Sequence, residues 1–86
     1  MKIPSKIKVG GLTYKIELVD GLADCGSTHF STQTILISKN QTEDRKLSAV
    51  VHEGIEAINE IADLNLPHQT IQTLEAFAFQ IIKDNF

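Results

Sequence analysis

Only one cysteine, Cys25, occurs in the chain, which excludes an intrachain disulfide. A chain of this size without disulfides is expected in a reducing, cytoplasmic setting. Long hydrophobic runs are missing too. No stretch approaches the roughly 18 apolar residues of a membrane span, so no membrane partner is expected. The opening MKIPSKIKVGG has lysines but no continuous apolar core, so it does not read as a signal peptide. Positive charge is sparse: 8 Lys and Arg stand against 11 Asp and Glu, for a net charge of −3. The basic residues form no stripe, so nucleic acid is not an expected partner.

What remains is an ordinary globular composition, 42% apolar and 22% charged, over 86 residues. That length accommodates one small domain, 1–86, whose core leaves little stability to spare. With disulfides excluded, a bound metal or a second chain, including a second copy, is the available staple.

The first half alternates. Lys6-Ile7-Lys8-Val9 and Leu12-Thr13-Tyr14-Lys15-Ile16-Glu17-Leu18 flank Gly10-Gly11, a tight-hairpin signal because glycine accepts the positive φ angles such turns need. Leu12, Tyr14, Ile16 and Leu18 share one face, expected to meet the core. Ser27–Phe30 and Thr34–Ser38 are the next strands. The expectation over 1–39 is an antiparallel meander of three or four strands.

The second half has helical spacing. Asn40 is placed to cap a helix over 40–63, with Glu43 in capping-box position. Leu47, Val50, Val51, Ile55, Ile58, Ile61 and Ala62 form its apolar stripe, and Gly54 within it suggests a close helix contact. Pro67 suits the first turn of a second helix over 66–85. The short link makes the two helices antiparallel neighbours. The fold class is therefore α+β, a β-meander followed by a helix pair.

Residues 50–61 read VVHEGIEAINEI. With Val51 at 0° and about 100° per residue, His52 falls near 100° and Glu56 near 140°, one turn apart beside the stripe. That spacing lets two side chains grip one metal ion. Glu53 points roughly 60–100° further away. On the second helix, Glu75 stands inside an apolar stripe, where a carboxylate is costly unless paired or bound to a cation. If the turn centres near Asn65, Glu75 lies level with Glu56, with His52 one turn away. His68 is the rival third ligand: it stands two turns from Glu75 along the same helix and would miss the site in a tight hairpin, whereas a longer loop or a tilted second helix would bring it in, so it ranks second. His52 and Glu56 also fit a plain solvent-facing pair on one helix face.

His52-Glu53-Gly54-Ile55-Glu56, then 18 residues, then Glu75 resembles the spacing of gluzincin metallopeptidases. QTILIS at 33–38, HEGIEAIN at 52–59 and FQIIKDN at 79–85 extend the likeness to small phage and prophage proteins of the ImmA/IrrE type. The resemblance implies a minimal zincin-like fold in a bacterial host cell. It implies His52 and Glu75 as zinc ligands and Glu53 as general acid/base. Glu56 departs from the family histidine. A carboxylate can still bind zinc, but the harder site also suits manganese, or stands without metal. The substitution weakens catalysis more than binding, and so little chain leaves scant room for a walled cleft. The expectation is therefore a non-catalytic or weakly catalytic binder of a protein or peptide, and the alternative an active zinc peptidase. His29 or Tyr14 would be the oxyanion stabiliser.

Overall fold

The structure, a computed structural model, describes residues 2–86; Met1, the first residue of the expected meander, lies outside them. Four strands, β1 Lys6–Val9, β2 Leu12–Val19, β3 Gly26–His29 and β4 Thr34–Ser38, precede two helices, α1 Glu43–Ala62 and α2 His68–Asn85. The fold is α+β, as the sequence implies.

Gly10 and Gly11 both take positive φ and close the β1–β2 hairpin, with Val9 paired to Leu12. The sheet is not a simple meander. Its order is β1-β2-β4-β3, and β2 and β4 run parallel. After Val19 the chain passes to the far edge, forms β3, and returns through a turn at Phe30–Gln33 to lay β4 in the gap. The reason is the apolarity of β4: Ile35 and Ile37 are wholly buried, and such a strand gains most at the sheet centre. The start of the connection is tied down by Lys39 N–H donating to the Val19 carbonyl, 3.0 Å, and by Lys39 against Asp20, 3.2 Å.

Of the expected core face of β2, Tyr14 and Ile16 are buried, whereas Leu12 and Leu18 overhang and stay exposed. The helix start also differs from expectation. Thr42 caps α1, its hydroxyl accepting from Arg45 N–H at 3.2 Å. Asn40 instead donates its side-chain amide to Asp20 at 3.2 Å. Pro67 precedes α2 as its cap residue, and its carbonyl accepts from Ile71 N–H.

The face that α1 buries takes in only Leu47 and Val50 of its expected apolar stripe. Leu47, Ala49, Val50, Glu53 and Ala57 are the buried positions, while Ile58 is 46% exposed. Helix α1 lies against β1, β3 and β4, and α2 touches α1 but not the sheet. Small residues let the α1 backbone approach the strands: Ala49, Val50 and Ala57 join the core cluster with the sheet, and Ile61 reaches Gly10 in the β1–β2 turn. The room Gly54 leaves is used by Ile7 of β1, 3.5 Å from where a Cβ would stand, and not by a helix.

The link between the helices folds back along α1. Asp63 takes a left-handed conformation, Leu64 N–H donates to the Asn59 carbonyl, and Leu66 N–H donates to the Asn59 side chain at 2.8 Å. Extended residues advance about 3.3 Å each against 1.5 Å in a helix. Helix α2 therefore starts further back along α1 than a symmetric hairpin allows.

If the alanine face is the packed one, Ala57→Leu should destabilise by about 1–3 kcal/mol through overpacking. Ile58→Ala should cost less, since nearly half of that side chain is already in water. A urea titration of both variants checks this, and the reverse ranking would mean α1 is turned the other way.

Candidate functional site

The pocket between α1, α2 and β3 has a volume of about 810 Å³ and is open to solvent. Its walls include Thr28, His52, Glu53, Glu56, His68 and Glu75. All five residues singled out in the sequence therefore meet at one place, but not in the expected arrangement.

Glu53 is the one buried charged residue among the described residues, 8% exposed. The rotation that turns Ala49 and Ala57 to the sheet carries it there too, one turn from each along the same face. Its Oε1 accepts from Thr28 Oγ at 2.6 Å. Gly26 makes the space: a Cβ there would stand 3.1 Å from Glu53 Cγ and 3.3 Å from Oε2. Desolvation is the main influence on this carboxyl and raises its pKa. The Thr28 hydrogen bond and the nearby His52 oppose the rise, and the charges of Glu56 and Asp24 add to it.

His52 stands at the α1–α2 seam. Its Nδ1 is 2.7 Å from Glu75 Oε1, and Ser48 Oγ donates to Glu75 Oε2 at 2.6 Å. The costly carboxylate of α2 is thus paired, but with His52 and Ser48 and not level with Glu56. The folded-back link explains the offset, since it moves every α2 residue about one turn along α1. The same shift brings His68 to the pocket, its ring centre 6.0 Å from that of His52 and the planes at 68°. A symmetric hairpin would have left it outside.

The other nitrogen, His52 Nε2, faces Glu56 Oε2 at 3.5 Å, too long for a good hydrogen bond. The imidazole thus stands between two carboxylates, Glu75 on its Nδ1 side and Glu56 on its Nε2 side. The separation also suits two donors on one ion: bonds of about 2.0–2.2 Å in tetrahedral geometry put donors about 3.4 Å apart. Among the described residues, no three His, Cys, Asp or Glu side chains already form a metal-holding group. The chemistry of the pair, imidazole with carboxylate, would suit zinc or manganese.

The candidate oxyanion groups separate. Tyr14 is 1% exposed in the core and does not line the pocket. His29 is exposed at the end of β3, 3.5 Å from Ser27 Oγ. Sequence reasoning missed Thr28, Ser48 and Gly26. Ser48 lies four residues before His52 and so on the same helix face, a signal that was there to read. Nothing local marks Thr28 or Gly26, whose roles depend on β3 lying beside α1.

No protein-family model, no curated protein and no solved structure matches this chain.

The raised pKa of Glu53 gives a signed expectation. An acid whose folded pKa lies above its unfolded value contributes stability below the unfolded pKa and loses it as pH rises through the folded one. Glu53→Gln should therefore raise Tm relative to wild type at pH 7–8, with the difference shrinking as pH falls toward 4.5 and below. Thr28→Val should lower stability by about 1–3 kcal/mol, because it leaves a buried carboxyl oxygen without its donor. Thermal melts across pH read both; an E53Q difference that grows on acidification would contradict the desolvation account.

Proposed function

We propose that this protein binds a divalent cation, zinc or manganese, between His52 and Glu56, and holds an extended segment of another protein in the pocket beside it. In this reading it is a phage- or prophage-type protein acting inside a bacterial cell, on a metallopeptidase-like frame whose role is binding and not hydrolysis. The observation that carries the cation is the facing pair, His52 Nε2 and Glu56 Oε2, 3.5 Å apart in the pocket wall, with His52 Nδ1 held 2.7 Å from Glu75. A divalent ion there would supply Lewis-acid attraction for a carbonyl or carboxylate of the partner.

Strand β3 supports the second half of the reading. It pairs with β4 on one side only and borders the pocket. Its free backbone groups are suited to adding a strand from a partner. Glu53 supports the binding role over hydrolysis, since one carboxyl oxygen is committed to Thr28 and the group is packed beneath Gly26. The peptidase alternative keeps one specific point in its favour. A carboxyl in a pocket wall whose pKa is raised by burial is a candidate general base.

Metal analysis of protein purified without chelator, followed by melts with added zinc or manganese, tests the cation. Free ion at 100 times its Kd stabilises by about 2.7 kcal/mol, which for a domain this small raises Tm by roughly 10–20 °C. His52→Ala should abolish the shift. No bound metal and no shift in wild type would refute the reading. Labelled casein separates the two roles. Cleavage by wild type that disappears in Glu53→Gln establishes the peptidase, whereas no cleavage by either supports the binder.

A further inference from the structure

Helix α1 packs on the sheet face that carries Tyr14, Ile16, Ile35 and Ile37, and α2 does not reach the sheet. The opposite face has no helix over it. Side chains alternate along a strand, so Lys6, Lys8, Thr13, Lys15 and Thr34 share that open face. The lysines that form no stripe along the chain are gathered there by strand pairing. Lys6 stands directly opposite Lys15, Lys8 opposite Thr13, and Lys15 opposite Thr34. Opposite residues of an antiparallel pair have Cβ atoms about 4.5–5.5 Å apart, and like charges there oppose the pairing. One acid lies near, with Glu17 Oε1 3.7 Å from Lys15 Nζ. Among the described residues no carboxylate pairs with Lys6. The charge of the strand half leans the same way. Residues 1–39 hold five of the eight basic residues and three of the eleven acids, so the net charge of −3 conceals a positive end.

A solvent-open hollow of about 660 Å³ is lined by Lys6 and Lys15 together with Ser5, Thr13, Thr32 and Thr34. The backbone beneath it is fixed: Lys15 N–H donates to the Gln33 carbonyl and Ile16 N–H to the Ser5 carbonyl, both at 2.9 Å. The Thr34 hydroxyl is committed to the Thr32 carbonyl at 3.1 Å. Those of Ser5, Thr13 and Thr32 take no protein partner among the described residues. We infer that this hollow binds a small phosphate-type oxyanion between Lys6 and Lys15. Two ammonium groups supply the charge, the free hydroxyls supply neutral donors, and lysine serves phosphate as a compact point charge. The bound anion relieves a repulsion that the fold itself leaves in place. A single nucleic-acid strand suits the face less well, since such strands bind on aromatic platforms. Tyr14 is buried on the other face, and Phe30 lines the other pocket. The hollow lies across the sheet from His52 and Glu56, so this inference stands apart from the cation reading.

Titration of the isotope-labelled protein with inorganic phosphate, against chloride at equal ionic strength, tests this by amide chemical shifts. Shifts should move and saturate at residues 5–6, 13–15 and 32–34. Lys6→Gln and Lys15→Gln should each weaken binding about two- to fivefold, the range for one exposed charge pair. Glu17→Gln should tighten it, because the competing carboxylate is gone. Thermal melts give a second reading. Without phosphate, Lys6→Gln should melt no lower than wild type, since the like-charge pair is removed. With phosphate, wild type should gain in Tm and the variant should gain less. Glycerol 3-phosphate in a parallel titration names the source: tighter binding than inorganic phosphate assigns the hollow to a monoester, weaker binding to the free ion. Equal shifts in chloride, or shifts spread alike over Lys39, Lys46 and Lys83, would overturn the site. Tighter, steeply salt-dependent binding of a single-stranded oligothymidylate would overturn the ligand in favour of nucleic acid.

Discussion

The carboxyl of Glu53 lies where α1 crosses β3, held by the Thr28 hydroxyl and admitted by the missing side chain of Gly26. Much else depends on that contact, because it helps set the rotation of α1 about its own axis. With Glu53, Ala49 and Ala57 toward the sheet, His52 and Glu56 are left about 60–100° around the helix, along the pocket. A buried carboxyl is an expensive way to fix a rotation, and its raised pKa records the strain of desolvation. Its value lies in discrimination: turned by one residue, α1 would bring a different side chain to Thr28.

This is also where the sequence was hardest to read. Helical periodicity over Leu47, Val50, Val51, Ile55, Ile58, Ile61 and Ala62 reads as one buried stripe, yet only Leu47 and Val50 of it are buried. The sheet selects by closeness of approach, so alanine is packed more tightly than isoleucine. The α+β order, the hairpin at Gly10-Gly11 and the two helices were legible, since each has a local cause. The parallel placement of β4 was not, because strand order depends on which strand gains most from the centre. Of the candidate site, the grouping of His52, Glu53, Glu56 and Glu75 around one pocket was legible from spacing, whereas His68 joins it only through the offset of α2. The pairings within it depend on the offset of α2, which Asn59 fixes by holding the returning link.

Helix α2 has one neighbour. It rests on α1 alone, with Ile71 its only buried residue, and Leu74, Phe77 and Ile81 remain exposed. Its attachment relies on the Glu75 bonds to His52 and Ser48 and on Lys83 against Asp44 at 2.7 Å, at the opposite end of α1 from the link. The residues that compose the pocket are thus also residues that keep the second helix in place, and any group bound there would strengthen the same seam.

The strand order has a consequence in time. Strand β3 pairs only with β4, and β2 finds its second neighbour only in β4. Until residues 34–38 are available, residues 26–29 have no strand to join, and the early hairpin of β1 and β2 stands by itself. The most interior strand is thus the last of the four along the chain. Its arrival joins two separate pieces into one surface, on which α1 can settle and after it α2. The pocket between α1, α2 and β3 thus depends on a strand, β4, that lines none of it.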